Sequence, residues 1–151
     1  MKEMPAQACK DFLGEHRVGV MALAKEGDAY AVPLFFAYDG KALYFHSHPG
    51  EKDQFLKETH EASFVVVEVH GEDDWSSVQA RGPVEKITLT DDAMAALEAM
   101  AENPFPPEFG VDAKGKPRRS SDNMYLWMMK PRTITGRTSR SPVRIKGPGE
   151  R

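Results

Sequence analysis

Two histidines, a serine and a lysine crowd into seven residues, His46-Ser-His48-Pro-Gly50-Glu-Lys52, and these types in this order suit the holding of an anion more than covalent catalysis. Pro49 and Gly50 end whatever strand precedes them. A helix beginning near Lys52 then points unpaired backbone N–H groups and the positive end of its dipole at the strand end. A dianionic phosphate placed there gains from those donors, from the Ser47 hydroxyl and from the Lys52 ammonium together. Glu51 and Asp53 oppose it mildly, and in isolation the segment is more simply a strand–turn–helix connection with a solvated Lys52. His46 and His48 face one side of a strand and could share a metal, but no third ligand is identifiable. They read more simply as polar lining of an anion site, and His16, His60 and His70 as surface residues. Cys9 has no positional argument for a histidine partner, and the chain has neither a Gly-x-Ser-x-Gly elbow nor a His-Glu-x-x-His helix.

The elements that must position this segment are mostly strands. Ala29 to Tyr38 is rich in aromatic and β-branched residues, Asp39-Gly40 supplies a tight two-residue turn, and Ala42 to Ser47 returns. Pro33 lacks an N–H, so its strand must be interrupted or lie at an edge there, leaving backbone positions for a ligand. A helix over Lys52 to His60 buries Phe55 and Leu56. Before the hairpin, a helix is predicted over Ala6 to Glu15, with Phe12 and Leu13 buried, and a strand over Arg17 to Ala24. After it, Ala62 to Glu68 is nearly continuously apolar, implying burial on both faces or at an interface. His70 to Asp74 reads as a loop and Trp75 to Lys86 as a long strand. A helix from Thr90 carries Met94, Leu97 and Met100 as a core stripe. Residues 103–121 form an irregular excursion, a candidate lid or dimer arm or else a surface insertion. Met124 to Met129 is a strand, and Pro131 to Arg137 closes the barrel along an edge.

At 151 residues and 40% hydrophobic content the chain is expected to be one domain over 1–138, with a basic, poorly ordered tail at 139–151. Residues 1–113 carry 9 Lys/Arg against 21 Asp/Glu, whereas 114–151 carry 11 against 2. That basic stretch lacks a recognition helix, zinc spacing and interleaved aromatics, so nucleic acid is not expected as a partner. One cysteine forbids an internal disulfide and fits a reducing cytosol; no stretch approaches the ~20 apolar residues of a membrane span, so the expectation is a soluble, cytoplasmic protein without a membrane partner.

Six segments in order carry a resemblance that no single motif would. They are Val18-Gly-Val-Met-Ala-Leu23, Ala31-Val-Pro33, Tyr44-Phe-His-Ser47 followed by Gly50-Glu-Lys52, Ala62-Ser-Phe-Val-Val-Val67, Ser77-Val-Gln-Ala-Arg-Gly82 and Lys130-Pro-Arg-Thr-Ile-Thr-Gly136. Between about Phe12 and Ser139 the chain resembles the FMN-binding split β-barrel family, the pyridoxamine-phosphate-oxidase-like proteins, in the branch related to nitroimidazole-resistance proteins. The resemblance implies a mainly β fold, a six-stranded split barrel with flanking helices, homodimeric, with two FMN sites at the interface. It implies that Val32, Pro33 and Leu34 lie along the isoalloxazine, that His46, Ser47, His48 and Lys52 take the ribityl chain and phosphate, and that Ser77 approaches the ring. Trp75 and Trp127 would wall the pocket from the second subunit, though each has an equally good account as packing. The chain departs from the full oxidase pattern, which carries an additional arginine and lysine in the strand corresponding to Ala31 to Leu34, so the resemblance does not extend to pyridoxal-phosphate synthesis. What it implies is a reductase or oxidase serving a small electron donor and acceptor, with no ionisable catalytic residue required because the flavin supplies the reactivity. A haem-binding or haem-degrading relative using His46 or His48, a deazaflavin-dependent reductase and a non-catalytic flavin-binding stress protein stay open as alternatives.

Overall fold

A computed structural model describes residues 1–47, 50–58, 60–102 and 125–139. In chain order these form β1 (Lys2–Glu3), α1 (Ala6–Glu15), β2 (Val18–Lys25), β3 (Asp28–Tyr38), β4 (Leu43–Ser47), α2 (Glu51–Glu58), β5 (Glu61–Gly71), β6 (Asp74–Lys86), α3 (Thr90–Glu102), β7 (Tyr125–Met129) and β8 (Thr133–Thr138). The strands lie in the order β1-β8-β6-β5-β2-β3-β4-β7, and a further β6–β7 pairing closes six of them into an antiparallel barrel, with β8 and β1 outside it. The closing contact is therefore β6 with β7, whereas 131–137 had been expected to close the barrel; β8 instead pairs with the first half of β6.

Closure depends on one strand serving two neighbours. Along one edge of β6, Ser76 to Arg81 pair with β8, and Val84 to Lys86 pair with β7. Gly82 sits at the change of partner, where an added Cβ would lie 2.6 Å from the Lys130 carbonyl oxygen of the β7–β8 connection. Only a residue without a side chain lets that connection cross, and the crossing is held by the Arg132 N–H donating to the Arg81 carbonyl at 2.8 Å.

The barrel interior is filled by alternate residues of each strand. Phe36 and Phe45 both meet Phe64 edge-on at 5.0 Å between ring centroids, and all three are fully buried. Phe64 lies over Gly19, whose missing Cβ would stand 2.5 Å from the ring. Helix α1 adds Cys9, Phe12 and Leu13 to this core. Helix α2 adds Phe55 and Leu56, with Phe55 stacked on Tyr30 at 5.5 Å.

Three local expectations differ from what is found. The β3–β4 connection is a four-residue loop, because Tyr38 pairs with Leu43; Gly40 alone takes a positive φ, and Asp39 closes the loop with its side chain. Strand β5 buries Ala62, Phe64 and Val66 only, leaves Val67 and Val69 exposed, and runs through 70 and 71 into a two-residue turn. On α3, Met94 and Leu97 are exposed and the buried face is Ala96 and Ala99, against Ala37, Ala42, Tyr44 and Met128 on the outside of the barrel. Small residues on both sides let that helix lie close to the sheet, so Met94 and Leu97 turn outward, while Met100 of the same stripe packs, partly buried, against this cluster.

Candidate functional site

The arms of the β3–β4 hairpin separate after three register pairs, Tyr38–Leu43, Ala37–Tyr44 and Phe36–Phe45. Beyond Phe36, β3 continues along β2, and beyond Phe45, β4 continues along β7 to Ser47–Tyr125. The edge of β3 from Asp28 to Leu34 that faces away from β2 thus has no strand partner among the described residues. The Phe36 N–H donates across to the Arg17 carbonyl of the β2 side at 2.8 Å, so in antiparallel alternation Leu34, Val32 and Tyr30 bond toward β2. The backbone groups of Pro33 and Ala31 therefore point to the opposite edge, which no strand among the described residues pairs. Pro33 has no N–H to offer a neighbouring strand, and here it sits where none is asked of it.

Side chains divide along the same strand. Val32 and Leu34 pack inward against the core, while Ala31 and Pro33 are exposed on the outer face. Pro33 stands in a row across the sheet with Val20, Val65 and Gln79, and around that row Val18, Val20 and Val67 are 49%, 41% and 53% exposed.

The start of α2 lies where β4 ends. The Asp53 carboxylate accepts the Gly50 N–H at 2.9 Å, and the Asp53 N–H donates to the Gly50 carbonyl at 3.0 Å. These reciprocal bonds are one helix-start device, legible in the Gly-x-x-Asp spacing. The same carboxylate stands 3.6 Å from the Lys52 ammonium, whose side chain is only 7% exposed. Asp53, which weighed against an anion in the sequence, is thus the counter-charge that makes a buried lysine tolerable.

The expected site residues fall in four places. Val32, Pro33 and Leu34 line the unpaired stretch of β3; His46, half-buried, and Ser47 end β4, with Lys52 on the first turn of α2. Ser77 and Trp75 lie on β6, Ser77 in register with Val67, and Trp75 exchanging backbone and hydroxyl bonds with Ser139. Trp127 is paired with Phe45 and Lys86 at the other end of β6. Trp75 is eleven positions from Lys86, about 35 Å along a strand, so within one chain the two tryptophans do not wall one pocket. His48 and the 103–121 excursion lie outside the described residues, as does the tail after Ser139.

A cavity of about 920 Å³ opens between α2, the end of β6 and β7, with Gly50, Asp53, Leu56, Val84, Lys86, Tyr125 and Trp127 among its walls. The sequence had pointed to Trp127 alone of these as a wall residue. No group of three or more His, Cys, Asp or Glu among the described residues could hold a metal ion. None of their helices is long and apolar enough to cross a membrane.

Comparison with known proteins places this geometry. An uncharacterized protein of Rhizobium meliloti (strain 1021) is 23% identical over 90 residues, spanning 60% of each chain. A FAD-binding protein from Mesorhizobium loti is 26% identical, with a TM-score of 0.73 over 89% of this chain and 95% of that one. A FAD-binding protein from Mycobacterium smegmatis superposes at 0.70, with 19% identity over 90% and 96% of the two chains. A Bacteroides thetaiotaomicron protein described under 5-nitroimidazole antibiotic resistance superposes at 0.66, with 22% identity over 89% and 86%. The last two share the fold. With its closed six-stranded barrel, its hairpin parted at α2, and residues 5–138 matched by the family's sequence profile, the chain belongs to the pyridoxamine 5'-phosphate oxidase family.

Proposed function

We propose that this protein is an FMN-binding homodimeric flavoprotein, an oxidoreductase passing electrons between a small donor and a small acceptor such as a nitroaromatic or quinone. The observation that carries the reading is the unpaired edge of β3 around Pro33, ending beside the start of α2. A planar ring with polar atoms along one edge finds unused backbone groups of a rigid strand there, and a phosphate finds the helix start and Lys52. The residues fit such a group: Ala31 and Pro33 would meet the ring edge through their backbone, and Ser47 and Lys52 would take the phosphate. When bound, the flavin supplies hydride and electron acceptance, so the chain need only bind, orient and limit water. The FAD-binding relatives support a flavin in general; the chain's own lysine argues for a terminal phosphate.

The exposed Val18, Val20, Val67 and Val69 support the dimer. An outer sheet face with this much apolar surface is worth covering, and a second copy laid on it would border the flavin edge at Pro33. Sedimentation should show dimer and flavin occupancy rising together, whereas a stable monomer with full affinity would defeat the dimeric site.

The test of the cofactor is colour and then Lys52. Purified protein should show a two-band flavin spectrum and release FMN on denaturation; a Soret band would favour the haem reading, and a released deazaflavin the other. Lys52→Ala should weaken FMN by about 1.5–3 kcal/mol and leave riboflavin, which lacks the phosphate, little changed. Equal loss for both would remove Lys52 from the phosphate site. Turnover with nicotinamide donors and a panel of acceptors separates an enzyme from a flavin-binding stress protein.

A further inference from the structure

The cavity between α2, β6 and β7 has walls of two kinds. Leu56 and Val84 are buried aliphatic residues, and Tyr125 and Trp127 supply aromatic surface. Exposed Gln54 and His60 border the space as well, and beside the aromatic wall stand two further hydrogen-bond donors. The Lys86 ammonium lies 3.6 Å from the centroid of the Tyr125 ring, a position that holds the cation at the cavity wall. The indole N–H of Trp127 is buried and has no hydrogen-bond partner among the described residues. Buried donors are almost always satisfied, so one left open beside a cavity of ligand size asks for an acceptor. Two carboxylates also border the space. The Asp53 Oδ2 accepts from the Gly50 N–H, and its buried Oδ1, without a hydrogen-bond partner among the described residues, stands 3.6 Å from the Lys52 ammonium; exposed Glu85 is the strand neighbour of Lys86, so beside Lys86 and Trp127 a neutral acceptor suits the wall better than a full negative charge.

We propose that this cavity binds a planar aromatic molecule whose edge carries a neutral carbonyl or nitro oxygen. The flat faces would lie against Leu56, Val84 and the aromatic wall, and the oxygen would accept from Lys86 and from Trp127. The Trp127 N–H is itself covered, so it would meet the oxygen through a small turn of the indole. The argument rests on the cavity alone and holds whether or not a flavin occupies the β3 edge. If one does, molecules of this class are the acceptors that a flavin would reduce.

Uncharged 1-nitronaphthalene and its apolar counterpart 1-ethylnaphthalene are suitable probes, titrated into ¹⁵N-labelled full-length protein. The chain has two tryptophans, so Trp75→Phe assigns the Trp127 indole signal. That signal should move downfield and saturate with 1-nitronaphthalene, and the nitro compound should bind about five- to tenfold tighter than the ethyl compound. Trp127→Phe should bring the preference close to one. Lys86→Met, on an exposed residue, should halve it or better, and it keeps the test alive if the Trp127 variant folds poorly. No response to either probe, or equal affinities in the unaltered protein, would overturn the proposal. FMN affinity measured on the same samples separates the two readings: flavin bound without nitro preference sinks this one, and nitro preference without flavin sinks the other.

Discussion

Two hairpins of the barrel behave in opposite ways. The β5–β6 hairpin is paired from Glu61–Pro83 to Gly71–Asp74, one register shift near its tip aside, whereas β3–β4 is paired over only three positions before its arms part. In the first, alternate residues of each arm spend their backbone groups on the other arm along its whole length, and the side chains build the core. In the second, α2 fills the gap from inside with Phe55 and Leu56, and backbone groups of β3 remain on an open edge. A ladder that closes on itself supplies rigidity; one that stops early leaves hydrogen-bonding capacity for something other than protein.

The sharpest way to break this contrast is at Phe64, in the middle of the continuous hairpin. Phe64→Ala removes the ring that Phe36 and Phe45 both contact and should cost about 3–5 kcal/mol in denaturant unfolding. A loss below 1 kcal/mol would mean that the continuous ladder is not the structural half. Gly82→Ala comes next. Its methyl would press on the Lys130 carbonyl and the Cα of Pro131, backbone atoms that yield little, and about 1–3 kcal/mol should be lost as the β6–β7 closure loosens. Stability unchanged by this substitution would show that the crossing has more room than the geometry implies.

The smallest effect belongs to the loop that sets the short hairpin's register. Burial pushes the Asp39 carboxyl up, but the N–H groups of Ala42 and Lys41 and the Tyr44 hydroxyl outweigh it and hold it below the ordinary carboxylate value. A depressed carboxyl contributes stability above its unfolded value, about 3.9, and loses it as pH falls through the folded value. Asp39→Asn should therefore lower stability by no more than about 1 kcal/mol at neutral pH, the loop being exposed, and the gap to the unaltered protein should shrink below pH 4. A gap independent of pH would assign the effect to the amide's shape, not to charge.

Legibility followed the range of the forces. Helix α1 was readable to the residue, and β2, α2 and β6 to within two, because apolar spacing, Pro5, Gly50 and the β-branched runs act locally. The order of six short segments carried the family. The phosphate-suited stretch from His46 to Lys52 was readable as residue types, but not as an arrangement. That Lys52 would be buried beside Asp53 depended on α2 packing Phe55 under Tyr30, a contact between segments 25 residues apart.

Periodicity alone placed the α3 stripe inside, and tertiary packing turned Met94 and Leu97 of it outward, because Ala96 and Ala99 permit a closer approach to Ala37 and Ala42 than methionines would. A continuous apolar run implied two buried faces or an interface for β5; within one chain a single face is buried, and which face meets the interior depends on the pleat and on Gly19 making room for Phe64. What the chain's own residues determined locally was where strands, helices and turns begin, since φ/ψ preference and amphipathic spacing need no distant partner. Which strands pair, where β6 changes neighbours at Gly82, and that β3 keeps an open edge at Pro33 were settled only when distant segments competed for the same backbone groups and the same volume.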